Sequence, residues 1–375
     1  MQTRLAFVDS FQESLNVSET SKGATMSVAA ERQQQTSVLD RLAGISSSRG
    51  ARDLATRLGE LDRWVRADLV EFEAELAILP RGARVVQHAA HHLLDLRGKH
   101  LRPTCVALAS RFGDGFTPAA RACAVAVELV HTATLLHDDV VDVAERRRGQ
   151  PAACTVYGNA ASIFAGDWLL VAALRKIAAT NIPGLLDKML GVIDEMILAE
   201  SLQLERRGRI HADAGEYFRI VEGKTASLFR WAMAAGARAS GHGPELEHAL
   251  DRYGLHLGIA FQAIDDELDF RTTGTGKDAF ADLREGKMTY PLVVAIEREP
   301  SLCARIEAVL AANEPAPRDV DAIAAAVRET GALAATRKLA EDHANRALDA
   351  LAGLPEGPPR DALETVVLAS LERVS

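Results

Sequence analysis

The chain has 375 residues, of which 48% are hydrophobic and 5% aromatic, and its formal net charge is −9. A chain of this length buries a large core, either as one big domain or as two ordinary ones. The acidic balance argues against nucleic acid as the main partner. Abundant alanine, leucine and valine with few aromatic residues favour helices packed on helices.

The cysteine and apolar patterns indicate a reducing compartment without a membrane anchor. Four cysteines lack close pairing and metal-ligand spacing, so we expect reduced thiols in a cytoplasmic protein. No run of about 18 uncharged apolar residues occurs, so no membrane-spanning helix is expected. Residues 1–50 are rich in serine, glutamine and threonine and have no signal-peptide core. They predict a mobile tail, followed by one catalytic domain over residues 51–375.

The first predicted helices lead to a pair of cations. Leucines recur at helical spacing over residues 51–79, as one helix or two, and a further helix follows over residues 84–96. Lys99 and Arg102 come next, and Pro103 suits the first turn of another helix. Backbone N–H groups and the helix dipole attract anions at such a helix start. This segment therefore predicts an anion site.

A helix over residues 120–137 delivers a group of carboxylates. Asp138 and Asp142 are four residues apart and share a helix face, whereas Asp139 is rotated away. Close carboxylates raise one another's pKa unless a cation lies between them. Oxygen ligands one turn apart suit Mg²⁺, which also binds substrate phosphates, and the arginines at 146–148 add forks that match phosphate oxygens. The stretch predicts a site for a metal-bound diphosphate.

A second copy of this spacing lies further along the chain. Helices are predicted over residues 160–179, 187–206 and 216–236, and the last of these contains a lysine–threonine pair at 224–225. The helix over residues 253–268 then ends in aspartates at 265, 266 and 269, and basic residues follow at 277 and 287. A lone aspartate motif is usually a solvated helix face. Two copies, each followed by basic residues, favour a functional site.

Together these motifs make the chain resemble the trans-prenyltransferases, or polyprenyl diphosphate synthases. The resemblance extends from about residue 61 to the C terminus. It rests on five segments, at residues 98–103, 128–149, 224–225, 262–269 and 285–291. It implies an all-α, single-domain bundle with the isoprenoid synthase fold, in which the two aspartate motifs face each other across a deep central cavity.

The resemblance also implies a reaction and its residues. Isopentenyl diphosphate condenses head-to-tail with an allylic diphosphate, with Mg²⁺ as cofactor and pyrophosphate as the second product. The metal would be held by Asp138, Asp142 and Asp265, with Asp139, Asp266 and Asp269 completing the two motifs. The residues implied in catalysis are Lys224, Thr225, Gln262 and Arg147. The residues implied in substrate binding are Lys99, Arg102, His131, Arg147, Arg148, Lys224, Thr225, Gln262, Lys277 and Lys287.

The chain departs from the family pattern at three positions. Arg97 stands where the family usually has glycine, His100 where it often has arginine, and Phe280 where it has glycine in the loop after the second motif. Alternatives are a farnesyl or geranylgeranyl diphosphate synthase, a class I terpene cyclase and a non-catalytic subunit of a heteromeric synthase. A cyclase would not need the second diphosphate site, and inactive subunits tend to lose an aspartate motif. We also expect a homodimer that touches a membrane surface weakly when product leaves.

The size of three residues before the first motif predicts the product length. Ala133 and Thr134 lie five and four residues before Asp138, which places them roughly 6–8 Å deeper along the helix. In the family that the chain resembles, bulky aromatic side chains at these positions form a floor that ends chain growth at short products. Both residues are small here, and Val130 is modest. The expectation is an all-trans product longer than about twenty carbons.

Overall fold

The computed structural model describes residues 37–96, 98–210, 212–270, 280–311 and 316–372. The described chain is almost wholly helical. Its first helices are α1 (Val38–Ser48), α2 (Arg52–Ala77), α3 (Val85–Leu94), α4 (Leu101–Ser110), α5 (Pro118–Val141), α6 (Ala153–Tyr157), α7 (Asn159–Ala179) and α8 (Leu185–Arg206). A two-residue antiparallel pair, β1 (Arg146–Arg147) with β2 (Gln150–Pro151), lies between α5 and α6.

The second half of the chain contains further helices and one π-helical turn. They are α9 (Ala214–Val221), the π turn (Glu222–Ala226), α10 (Ser227–Ala239), α11 (Pro244–Asp269), α12 (Ala281–Arg284), α13 (Tyr290–Arg298), α14 (Leu302–Leu310), α15 (Pro317–Glu329), α16 (Ala332–Leu351) and α17 (Pro358–Leu371). From Val38 onward the chain forms one compact unit. The predicted all-α fold is therefore confirmed.

The helix that carries the first aspartate motif runs through the core. Helix α5 packs on α4, α7 and α10, and its apolar residues belong to the main hydrophobic cluster. In the described chain α5 is the one helix that is long and apolar enough to cross a membrane, and most of it is buried inside the fold. Packing against neighbouring helices accounts for this apolar character.

Two glycines bring the second aspartate helix close to the lysine–threonine segment. A Cβ atom on Gly254 would lie 2.7 Å from the Phe229 carbonyl oxygen, and one on Gly258 would lie 2.6 Å from the Ala226 Cα atom. Because side chains at these positions would collide with backbone, only glycine permits this approach of α11 to α10. The approach fixes the π turn beside the residues that precede the second motif.

The prediction of a mobile tail over residues 1–50 is wrong at its C-terminal end. Residues 38–48 form helix α1, in which Leu39 is fully buried and Val38 and Leu42 pack on the same cluster. Apolar residues at 38, 39, 42 and 45 supply a helical period that the serine-rich composition conceals. Residues 1–36 lie outside the described part of the chain.

Candidate active site

The first aspartate motif lies on a partly exposed stripe of α5 and of the residue that follows it. His131, Thr134, Asp138 and Asp142 follow one another at three- or four-residue spacing, and all are partly exposed. Burial raises the pKa of Asp138 to about 6; Lys224 opposes the rise, and the carboxylates of Glu200 and Asp142 add to it. A cation beside this carboxyl group stabilises its ionised form.

Asp139 points away from this stripe and into the packed interior. Its carboxylate is fully buried and accepts hydrogen bonds from Arg147, at 2.7 Å from Nε and 2.5 Å from the terminal nitrogen. The prediction that Asp139 binds metal is therefore not supported by its placement. Adjacent helical residues point about 100° apart, so the carboxylate beside a ligand is turned into the packing. Asp139 positions Arg147, and through it the arginine segment at 146–148.

The second motif repeats this arrangement on α11. Asp265 and Asp269 are partly exposed, whereas Asp266 is 2% exposed. Asp266 accepts a hydrogen bond from the Tyr217 hydroxyl at 2.8 Å and another from the Tyr290 amide at 3.3 Å. Burial, reinforced by Asp282, raises the pKa of Asp266 to about 7. This carboxyl ties α9 and α13 to α11, and its role as a metal ligand stays a prediction.

Lys224 and Thr225 lie on the π turn between α9 and α10. The Lys224 Nζ atom lies 2.5 Å from Glu200, and it donates to the Gln203 side chain at 2.9 Å. It also lies 3.9 Å from Asp138. The extra residue of a π turn commonly marks a functional position. Here the π turn brings the Lys224 ammonium group to the first motif, where its positive charge attracts the Asp138 carboxylate.

A short hydrogen-bond chain joins the π turn to the second motif. The Thr225 hydroxyl donates to the side-chain Oε1 atom of Gln262 at 3.0 Å, and the side-chain Nε2 atom of Gln262 donates to the Asp266 carboxylate at 2.9 Å. Each polar group in this chain has a partner on a neighbouring helix. The orientation of the Thr225 and Gln262 dipoles is therefore fixed by the fold.

The segment after the second motif reaches back to the first. Lys287 donates to Asp142 at 2.9 Å and lies 2.5 Å from Glu285. Burial opposes its charge, but Glu285 and Asp142 hold the pKa of Lys287 above its ordinary value. Burial likewise opposes ionisation of Asp142, whose pKa is nevertheless lowered by Lys287, Lys224 and Arg207. The segment that follows the second motif thus contacts the first motif directly, while the predicted Lys277 lies outside the described residues.

Phe280, which replaces the family glycine, adopts the left-handed conformation that glycine tolerates. Its φ is +61°, and its side chain is 2% exposed. The ring packs on Phe270 at 5.8 Å between centroids, and the Arg328 guanidinium lies 5.9 Å from its centre. The backbone turn that glycine makes freely is held here by burial of an aromatic ring.

A second cationic group lies at the start of α4 and beside His131. The Arg102 guanidinium lies 4.6 Å from the centre of the Phe229 ring, and its Nε atom has no hydrogen-bond partner among the described residues. Burial lowers the pKa of Arg102, and burial followed by Arg102 lowers that of His131 to about 3. A buried cation with an unsatisfied donor calls for an anionic ligand. Lys99 is exposed in the loop just before this helix.

Glu128 organises this second group, and the sequence reasoning assigned it no role. Its carboxylate is 4% exposed and lies 3.3 Å from the His100 ring nitrogen. Burial would raise its pKa, but His100, His131 and Arg148 lower it to about 2. A signal was present, because Glu128 precedes His131 by three residues on one helix. Arg148 also donates to the Leu96 carbonyl oxygen at 2.6 Å.

The donors at the first motif fit a hard divalent cation bound together with a substrate. Asp138 and Asp142 offer only oxygen ligands, one helical turn apart, beside cations that attract phosphate. Among the described residues, no three histidine, cysteine, aspartate or glutamate side chains converge into a ready-made metal cage. Magnesium sites that use one or two carboxylates plus substrate phosphates do not need such a cage.

The residues predicted to set product length lie directly behind the first motif. Ala133 and Val130 are fully buried within the main hydrophobic cluster, whereas Thr134 is partly exposed on the Asp138 side of the helix. On the neighbouring helix α7, the bulky side chain of Phe164 is 60% exposed. The role of the first three in product length stays a prediction.

Known proteins are similar in sequence to this chain over most of its length. A family model described as polyprenyl synthetase matches residues 83–328. The octaprenyl diphosphate synthase of Escherichia coli (strain K12) is 33% identical over 302 residues, covering 80% of this chain and 94% of that protein. The all-trans-nonaprenyl-diphosphate synthase (geranyl-diphosphate specific) of Rhodobacter capsulatus is 33% identical over 297 residues, covering 77% and 90%.

Solved structures share the fold as well. A polyprenyl synthase from Caulobacter crescentus CB15, complexed with calcium and isoprenyl diphosphate, is 36% identical with a TM-score of 0.79, covering 84% of this chain and 97% of that one. A geranylgeranyl pyrophosphate synthase from Lactobacillus brevis ATCC 367 is 28% identical with a TM-score of 0.77, covering 83% and 97%. The chain belongs to the polyprenyl synthetase family and is a trans-prenyltransferase.

Proposed function

We propose that the protein condenses isopentenyl diphosphate with an allylic diphosphate, in the presence of Mg²⁺, to make an all-trans polyprenyl diphosphate longer than about twenty carbons, with release of pyrophosphate. The observation that carries this proposal is a pair of cationic groups at two positions along one face of α5. One surrounds Arg102 and His131, and the other surrounds Asp138 and Lys287. Two diphosphates need two such groups.

The residues near Asp138 suit the allylic substrate. When bound, Mg²⁺ supplies Lewis-acid charge that stabilises the departing diphosphate. Lys224 and Lys287 lie within 3.9 and 2.9 Å of the Asp138 and Asp142 carboxylates respectively, so they add positive charge on the same side. The fixed dipoles of Thr225 and Gln262 lie next to this group and favour positive charge on the allylic carbon.

The residues near Arg102 suit isopentenyl diphosphate. Arg102 offers an unsatisfied buried donor, and Arg148 is held beside Gly98 and the Leu96 carbonyl. His131, with its lowered pKa, is neutral at pH 7 and donates or accepts a hydrogen bond without adding charge. Apolar helices around both groups exclude water, which would otherwise quench a carbocation.

This arrangement favours a synthase over the alternatives. A class I cyclase binds one diphosphate and has no use for the Arg102 group. A non-catalytic subunit would not need both aspartate motifs, nor a first motif in contact with two lysines. Relatives named as octaprenyl and nonaprenyl diphosphate synthases support a long product, although the fold itself is shared with a geranylgeranyl pyrophosphate synthase.

The surface supports a homodimer in the cytoplasm. Large apolar side chains on α7 and α8 are exposed, with Phe164, Ile197 and Leu198 each about 60% exposed. Such a patch suits a second copy of the chain. The four cysteines are free, which suits a reducing compartment. Val143, at 83% exposed beside the first motif, suits the proposed weak contact with a membrane during product release.

Product analysis tests the proposal. Purified protein is incubated with isopentenyl and farnesyl diphosphates and Mg²⁺, and the dephosphorylated products are separated by chromatography. We expect products beyond geranylgeraniol, and we expect Ala133→Phe to shorten them to farnesol or geranylgeraniol. Thr134→Val, which keeps the side-chain size, is the matched control and leaves the length unchanged. Wild-type products that stop at geranylgeraniol would refute the long-chain assignment.

A further inference from the structure

Asp142 is held by two cations, one on each carboxylate oxygen. Lys287 donates to Oδ2 at 2.9 Å, and Arg207 donates to Oδ1. A second guanidinium nitrogen of Arg207 donates to the Val141 carbonyl oxygen at 3.1 Å. A metal ion that binds this carboxylate is repelled by both cations, and departure of one of them relieves that repulsion.

The two cations come from loops that are joined to each other. Arg207 caps the end of α8 and is followed by Gly208, whose amide donates to the Gly286 carbonyl oxygen at 3.1 Å. A Cβ atom on Gly286 would lie 2.7 Å from the Gly208 nitrogen. This close packing of two glycine loops brings the backbones of both cationic residues to one carboxylate.

Of the two cations, Arg207 is the one free to leave. The Lys287 side chain is 14% exposed and is also held by Glu285, whereas the Arg207 side chain is 30% exposed. Beyond Asp142, the contact recorded for the Arg207 side chain is with a single backbone carbonyl. Its guanidinium presents further donors whose fork geometry matches phosphate oxygens.

We propose that Arg207 is a positioning residue that holds Asp142 while no metal is bound, yields it to the incoming divalent cation and then binds the metal-chelated diphosphate. The inference rests on the proposed function of this site, and it adds Arg207 to the residues that receive the allylic substrate. Nothing in the sequence pattern singles out this position.

The proposal predicts opposite shifts in two affinities. Without Arg207, a competing cation and its repulsion are lost, so the metal alone binds more tightly. With metal present, a phosphate ligand is lost, so pyrophosphate binds less tightly. A purely structural role would weaken both affinities or change neither.

Two binding measurements on the full-length protein test this. Free Mn²⁺ is followed by electron paramagnetic resonance without substrate, and inorganic pyrophosphate is titrated by calorimetry at saturating Mg²⁺. For Arg207→Gln we expect Mn²⁺ affinity to rise about tenfold and pyrophosphate affinity to fall about tenfold. Arg207→Lys, which keeps the charge, should recover much of both wild-type values.

Arg206→Gln is the matched control, because Arg206 is the neighbouring residue but pairs with Glu216 at 2.9 Å. It should leave both affinities near wild type, and circular dichroism confirms that each variant is folded. Unchanged or weaker Mn²⁺ binding in Arg207→Gln overturns the proposal, as does undiminished pyrophosphate binding. Neither assay requires turnover, so a failure here is distinct from a failure to find prenyltransferase products.

Discussion

The strained conformation of Phe280 makes a prediction that separates backbone cost from side-chain packing. A residue other than glycine with φ near +60° costs about 1–2 kcal/mol, and burying a phenylalanine ring stabilises a fold by about 3–5 kcal/mol relative to alanine. Phe280, at φ +61° and 2% exposed, carries both effects. Ring burial therefore outweighs strain at this position.

Substitution by alanine removes the ring and keeps the strain, so Phe280→Ala should lower the free energy of unfolding by about 3–5 kcal/mol. Phe280→Gly also removes the ring but relieves the strain. This relief is partly offset because glycine gives the unfolded chain more conformational entropy, which costs about 0.4–1 kcal/mol of stability. The glycine variant should thus be about 1 kcal/mol more stable than the alanine variant, and about 2–4 kcal/mol less stable than wild type. Urea denaturation followed by circular dichroism measures these differences.

Phe270 supplies the matched control. It is fully buried and packs on Phe280, but its φ is −88°. Glycine relieves no strain there, so Phe270→Gly should be less stable than Phe270→Ala. If the glycine and alanine variants of Phe280 followed that same order, the argument from backbone strain would be refuted. A Phe280→Gly variant as stable as wild type would refute the argument from ring packing.

Three further predictions follow from the site and the first helix. In metal-free protein, the raised pKa of Asp138, about 6, means that its contribution to stability is present at low pH and is lost as pH rises through 6. Asp138→Asn should therefore flatten the fall in unfolding free energy between about pH 4 and 6 and, in Mg²⁺, reduce turnover by about 10²–10³-fold or more; retained activity would exclude Asp138 as a ligand. Lys99→Ala should raise the KM for isopentenyl diphosphate more than that for the allylic substrate in steady-state assays, and equal effects would argue against separate subsites. Deletion of residues 1–50 should lower the melting temperature relative to deletion of residues 1–36, because it removes the buried Leu39; identical melting curves would contradict a packed α1.

Much of the fold was predictable because the motifs lie on strongly periodic helices. The helix expected over residues 160–179 is observed as Asn159–Ala179, and that expected over 187–206 is observed as Leu185–Arg206. Long apolar periods identify such helices from sequence alone. The helix expected over residues 253–268 begins earlier, at Pro244, and its added turns bury Leu246 and Leu250 among charged residues.

Features that depend on contacts between distant segments were not predictable. The contact of Arg207 with Asp142 spans 65 residues, and it requires two glycine loops to pack together. The buried position of Glu128 is visible only once the cations around it are placed. The turn at Phe280 likewise depends on a ring pocket formed partly by α15, which no local pattern reveals.

The two aspartate motifs show why adjacent acidic residues have different tasks. In each motif the first aspartate, Asp138 or Asp265, is partly exposed, and the second, Asp139 or Asp266, is buried and bonded to a neighbouring element. Helical geometry imposes this division, since consecutive side chains diverge by about 100°. The first carboxylate is thereby left partly exposed, as the proposed metal site requires, while its neighbour anchors the helix end that carries it. A doubled aspartate at a helix end therefore predicts one ligand and one anchor.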